Sequence, residues 1–209
     1  MSLDALVLTH ADLDHIGAAH ALLDRIVVEE LWVPPCALSH PSVASLARRI
    51  SLSGGRIRVL DSEDTRRWGG LEWQVLWPRP GMGCEDGTNE SGLVLRLDYE
   101  GARVLLTADA GHDTERALLD SPEALRASLL KLGHHGSRGS TAPEFLEAVG
   151  PSVALVSGRF VGGRMPPHHD VLTQLCRAGI ALGVTGRDGA LQWEMRALER
   201  AEQEGLRPP

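Results

Sequence analysis

The chain has 209 residues, 43% of them hydrophobic and 23% charged, a globular composition long enough to bury a core in one domain without cross-links. Its formal charge of −7 argues against a broad nucleic-acid-binding face, and no apolar run approaches the ~18 residues of a membrane helix. No basic and then apolar leader precedes the first strand, so the chain by itself reads as soluble.

Residues 5 to 8 read as a short buried strand and 17 to 26 as an amphipathic helix, which leaves "HADLDH" (10 to 15) on the turn between them. "ELWVP" (30 to 34) is a strand closed by Pro34 and Pro35, and "HPSVASLARRI" (40 to 50) a helix capped by Ser39 or Ser42. "RIRVLD", "LEWQVLWP", "GLVLRLDYEG" and "ARVLLTAD" follow as strands, the last two joined at Glu100-Gly101 as a tight hairpin. "DTERALLDS" is a short helix. Then come "SLLKL" as strand, "APEFLEAV" as helix, "SVALVS" as strand, "HDVLTQLCRAG" as helix, "ALGVTG" and "ALQWEM" as strands, and a polar helix from about residue 196. Antiparallel strands first and βα alternation afterwards predict a layered α/β fold with helices outside. Cys36, Cys84 and Cys176 stand far apart in no CxxC pattern and are read as free thiols. Arg48, Arg49, Arg56 and Arg58, and separately Arg66 and Arg67, are read as solvated faces.

Apolar runs repeatedly empty into polar clusters: Leu8 into His10, Leu106 into Asp109, Leu132 into His134-His135, and Val156 into Ser157. Ligands in α/β sheets gather at the carboxyl ends of strands, so these residues are expected along one rim. His10, Asp12, Asp14 and His15 put four candidate metal ligands into six positions, and an acid-rich turn without a cation would repel itself. Asp109 alone would be an N-cap for the helix that follows. "KLGHHGSRGS" offers a ligand, a proton donor and anion-holding groups in Ser137 and Arg138. In "PPHHD" (166 to 170), His168 is a candidate for supporting chemistry, while His169 or Asp170 caps the next helix.

In order, "THADLDHIG", "SGLVLRLDYEGARVLLTADA" and "LLKLGHHGSRGSTAPEFLEAVGPSVALVS" closely resemble the metallo-β-lactamase-fold domain of DNA-internalisation competence proteins of the ComEC type. The resemblance implies a four-layer αββα sandwich for residues 1–195, with 196–209 as a polar tail or helix. Two departures stand out. The fold normally places several strands before the metal motif, which here begins at residue 10, so an uncovered sheet edge is expected. The histidine that many members place between the first motif and the bridging Asp is missing: His20, His40 and His112 lie in no matching context, and Asn89 and Ser91 of "GTNESG" occupy the expected place as substrate-binding candidates.

Carried over residue by residue, the resemblance implies that Asp14, His15, Asp109 and His135 form one firm metal site. Asp109 would bridge to a weaker site made by His10 and Asp12. Adjacent residues at a strand end point in opposite directions, so only one of the doublet is expected to face the site directly, and the assignment of His135 rather than His134 to the metal rests on the resemblance. A carboxylate at Asp12 in place of an imidazole hardens the cluster, so Mn²⁺, with Mg²⁺ beside it, gains on Zn²⁺. The implied function is metal-assisted hydrolysis of DNA, single-stranded in the family's manner. Asp14 or Asp12 orients water, His134 holds a phosphate oxygen or protonates the leaving group, and His168, Ser137 and Arg138 assist. The expected partner is the membrane channel of a competence protein, which would make the chain membrane-associated. The alternatives are a metal-stabilised binding module without catalysis, and a small-molecule phosphoesterase or lactonase on the same fold.

Overall fold

A computed structural model describes residues 1–84, 89–158 and 166–193. Their contacts divide the chain into two compact units, Met1–Asp64 with Val75–Val94, and Thr65–Gln74 with Leu95–Pro209.

In the first unit, strands β1 (Ser2–Val7), β2 (Val27–Val33) and β3 (Arg56–Val59) form a parallel sheet in the order β1-β2-β3. Leu6 lies beside Leu31, and Val33 beside Val59. Between β1 and β2 the helix expected over 17–26 is the short α2 (Ala19–Leu23), and a further turn of helix, α1 (Leu13–Ile16), lies before it where only a turn was expected, the two separated at Gly17-Ala18. A Cβ at Gly17 would meet the Leu13 carbonyl oxygen at 2.6 Å, so the chain turns tightly there around a residue without a side chain. After β2, the Pro34-Pro35 pair opens α3 (Pro35–Leu38) and is followed by α4 (Pro41–Leu52).

Helix α4 buries Val43, Leu46, Ala47 and Ile50, the i, i+3, i+4, i+7 spacing of one face, against Leu8, Ile16, Val28, Leu31 and Val33. Each fully buried aliphatic side chain contributes roughly 1.5–3 kcal/mol, which suffices to fix the strand ends. Its cap is His40, not a serine: Nδ1 accepts from the Ser42 N–H at 3.3 Å. An imidazole acceptor serves there because Pro41 needs no partner at the first helical position.

Cys36 and Cys84 are not free thiols. They form a disulfide across 48 positions and tie α3 to the segment that follows the fifth strand, leaving Cys176 as the free cysteine. Proximity created by the fold has no sequence-local spacing rule. The Arg56 and Arg58 cluster is likewise paired rather than simply solvated, since both guanidinium groups share the Glu30 carboxylate.

A seven-stranded sheet has the order β10-β9-β8-β7-β6-β5-β4. Its members are β4 (Thr65–Trp68), β5 (Leu71–Trp77), β6 (Val94–Tyr99), β7 (Ala102–Leu106), β8 (Leu129–Lys131), β9 (Val153–Val156) and β10 (Ala181–Val184). β4, an exposed strand read from the sequence only as a basic cluster, pairs antiparallel with β5. β6 and β7 are the expected hairpin, with Glu100 and Gly101 both at positive φ. From β7 to β10 every neighbouring pair is parallel, and helices α5 (His112–Leu118), α6 (Pro143–Val149) and α7 (His169–Ala178) lie between them in sequence. α6 starts at Pro143, buries Phe145, Leu146 and Val149, and ends at Gly150 in the left-handed conformation. The strand expected for "ALGVTG" stops at Val184, where the single turn α8 (Thr185–Asp188) begins. Residues 191–193 of "ALQWEM" form no strand, and the rest of it, with the expected C-terminal helix, lies outside the described residues. Among the described residues no helix is long and apolar enough to cross a membrane.

Candidate functional site

The first unit supplies the residues of the opening motif. β1 runs out with the Leu8 N–H on the Trp32 carbonyl at 3.0 Å, which anchors the exit of the strand and aims Thr9 and His10. His10 is buried, with Nδ1 3.0 Å from the Thr9 hydroxyl and Nε2 3.9 Å from an Asp12 carboxylate oxygen. Asp12 starts α1 with its carbonyl, which accepts from the N–H groups of His15 and Ile16, and its side chain makes no cap bond. Ile16 is buried in the core, so this single turn is pinned and folds His15 back over His10, ring centroids 4.0 Å apart. The His15 Nε2 lies 3.8 Å from an Asp14 oxygen, with the Asp14 side chain exposed. Alongside, the Leu93 N–H donates to the Thr9 carbonyl at 2.9 Å, which fastens the Asn89–Gly92 turn to the motif and brings buried Ser91 with it.

The second unit supplies the rest. β7 leads into Thr107, whose hydroxyl donates to the Lys131 carbonyl at 2.7 Å, and then into Ala108 at φ 48°. Asp109 follows at 3% exposure, and it is not a helix cap, since α5 is capped by Gly111. His134 and His135 have φ of 44° and 54°, so both lie in a left-handed turn and not, as expected, at an extended strand end where side chains alternate. Left-handed conformations at non-glycine residues cost about 1–3 kcal/mol each and persist where the surroundings over-determine them. Several fastenings do so here: the His134 N–H donates to the Ala108 carbonyl at 3.2 Å, and the Ser140 hydroxyl to the Gly133 carbonyl at 2.8 Å. A Cβ at Gly133 would meet the Ala110 carbonyl oxygen at 2.5 Å, so this approach requires glycine.

His135 Nδ1 lies 2.6 Å from the Ser157 carbonyl oxygen. A carbonyl only accepts, so Nδ1 carries a proton, and in the neutral ring Nε2 keeps its lone pair, 3.6 Å from an Asp109 oxygen. Lys131, unremarked in the sequence, is half-buried; burial pushes its ammonium below the usual lysine value, while the Asp109 charge opposes that shift. His168 caps α7 with Nδ1 accepting from the Asp170 N–H at 3.3 Å, a role the sequence assigned to His169 or Asp170. In the neutral ring Nε2 therefore holds the proton. Ser137 is held within the loop by its N–H on the His134 carbonyl, and Arg138 is 79% exposed and pairs with Asp170 at 3.5 Å. Ser157 was expected on the rim as a polar side chain, but it acts through its carbonyl; sequence reading missed Ser140, whose spacing in "GSRGS" was its one signal, and Glu115, a charge hidden on the buried face of α5.

The sequence model described as the metallo-beta-lactamase superfamily matches residues 2–158. ComE operon protein 3 of Bacillus subtilis is 33% identical over 194 residues, 93% of this chain and 25% of that protein. Competence protein ComA of Neisseria gonorrhoeae is 30% identical over 192 residues, 91% of this chain and 25% of that protein. The chain thus spans about a quarter of the length of the curated relatives it matches. Among solved structures, the metallo-beta-lactamase fold protein YhfI from Bacillus subtilis superposes with a TM-score of 0.57 at 13% identity, covering 87% of this chain and 74% of that one.

Proposed function

This chain belongs to the metallo-β-lactamase superfamily, a mixed α/β fold of metal-dependent hydrolases, and from that premise we propose that it is a phosphodiesterase acting on DNA. The supporting observation is the orientation of His135: its Nδ1–H donates to the Ser157 carbonyl, which in the neutral ring leaves the Nε2 lone pair on the side of buried Asp109. By the resemblance to competence proteins Asp14 and His15 would join them, and two imidazoles with two carboxylates are a donor set that suits Mn²⁺ or Zn²⁺. His10 and Asp12, with Asp109 shared as the resemblance implies, would hold a second ion more weakly. A divalent cation supplies Lewis acidity, drawing charge from an attacked phosphoryl group and bringing the pKa of water toward neutrality.

The protein's own groups do the rest. Asp12 or Asp14 orients the attacking water as general base. His134 donates to a phosphate oxygen or to the leaving group, and His168 Nε2, carrying its proton, is a second donor. Ser137 and Arg138, with Asn89 and Ser91, bind the substrate. The likeness to competence proteins supports DNA as substrate and the membrane channel portion of such a protein as partner.

One observation favours a small phosphate ester instead. Arg49, Arg56, Arg58 and Arg67 are paired with Asp24, Glu30 and Glu72, which removes cations that a DNA groove would use. Elemental analysis of the purified chain, with rates on single-stranded DNA and on bis-p-nitrophenyl phosphate, separates the readings. Metal-dependent cutting of DNA supports the nuclease, cleavage of the small ester alone supports the alternative, and a metal-loaded protein inert on both is a binding module.

A further inference from the structure

Glu115 is 1% exposed on the buried side of α5, where a carboxylate is costly and where the reaction has no use for one. Both of its oxygens are engaged by backbone 26 and 27 positions away: Oε1 accepts from the Thr141 N–H at 2.5 Å and Oε2 from the Ala142 N–H at 2.8 Å. These two residues end the loop that carries His134 and His135. Thr141 has φ 63°, a conformation that a β-branched residue adopts only when it is held. At its other end Glu115 belongs to the first turn of α5, and its N–H donates to the carbonyl of Gly111, two residues beyond Asp109. The same turn is bonded to the loop once more, through the His112 N–H on the Gly139 carbonyl at 2.9 Å.

We infer that Glu115 is a positioning residue for the ligand pair Asp109 and His135: its carboxylate locks the histidine loop to the helix that starts beside Asp109. This rests on the metal-dependent reading given above. Two converging N–H donors call for a group that only accepts. An ionised carboxylate satisfies both, whereas a glutamine of the same shape presents one oxygen and one NH₂, leaving one N–H facing a donor. Released at Thr141, the loop can relax from its left-handed turns. His135 then loses its fixed approach to the Ser157 carbonyl and to Asp109.

The test is Mn²⁺ affinity by calorimetric titration, with the visible spectrum of the Co²⁺-loaded chain as a report of ligand geometry, for wild type, Glu115→Gln, and Glu115→Gln combined with Thr141→Gly. Circular dichroism and urea midpoints establish that each is folded. Glu115→Gln is expected to weaken Mn²⁺ binding by about 10–100-fold, the usual effect of removing a residue that orients ligands, and to alter the Co²⁺ spectrum. Adding Thr141→Gly returns part of the affinity, because glycine takes positive φ without the clamp. Wild-type affinity and spectrum in Glu115→Gln, with only the urea midpoint lowered, would reduce Glu115 to a folding staple and overturn the inference. A wild-type chain that binds neither ion overturns the metal-dependent reading and this inference with it. If Glu115→Gln alone does not fold, the double variant decides: a remaining deficit supports positioning, and full affinity rejects it.

Discussion

At His135 the Ser157 carbonyl accepts from the ring Nδ1–H, while among the described residues its neighbour His134 is fixed through its backbone, by an N–H on the Ala108 carbonyl. That asymmetry assigns different consequences to neighbouring substitutions. Asp109→Ala is expected to lose bound metal and phosphodiesterase rate together. His134→Ala is expected to keep the metal and lose roughly two orders of magnitude or more in rate, the cost of removing a general acid or a phosphate contact. Elemental analysis beside the rate of each variant checks this, and a His134→Ala that strips the metal while His135→Ala retains it would reverse the assignment. The residues themselves stand out in the sequence, because a polar cluster directly after an apolar strand has few structural uses. The turn geometry was not: alternation along a strand predicts opposed side chains for a doublet, whereas both residues are left-handed here. A main-chain acceptor such as that of Ser157 leaves no mark in residue type.

Strands and helices with a clear period were recovered nearly to their ends, as α4 and α6 show, since one buried face sets both length and register. Short elements were lost where local turns override the period: residues 17 to 26 hold α2 alone, and β4, exposed along its whole length, has no apolar alternation to reveal it. At the pairing of β2 and β3 the sequence showed two arginines and no partner, because Glu30 lies on a different strand. The Arg58 guanidinium, hydrogen-bonded to Glu30, holds that carboxyl down at about 2 instead of its usual 4.5, with Trp32 and Arg56 adding to the effect against the cost of burial. A depressed carboxyl contributes stability above its unfolded value and loses it as pH falls through the folded one, so the contribution fades between pH 4.5 and about 2. Urea midpoints taken across that window should fall for wild type and stay flatter for Glu30→Gln. Parallel curves would show that the two arginines contribute nothing through this residue.

For the molecule as a whole, motif order carried the fold class: the stretches that carry the resemblance all lie within residues 2–158, which the superfamily's model matches. What they could not carry is closure between distant segments, and the Cys36–Cys84 bridge is the clearest instance, spanning 48 positions of unremarkable sequence. Closing a loop of that length removes unfolded-state entropy worth about 4 kcal/mol, a large fraction of an ordinary domain's stability. Distortion of the folded state subtracts from this, so the measured effect should fall at or below that figure. Thiol titration of the denatured, unreduced chain should find Cys176 alone, and all three cysteines only after reduction. Cys84→Ser is expected to lower the urea midpoint to the level of the reduced wild type, with reduction of the variant changing nothing further. Since Cys84 precedes the segment that carries Asn89 and Ser91, the rate on bis-p-nitrophenyl phosphate should be measured on the same samples. A rise in KM without a fall in kcat would mean that the bridge holds substrate-binding residues in place. An unreduced wild type that titrates three thiols would remove the bridge, and with it both expectations.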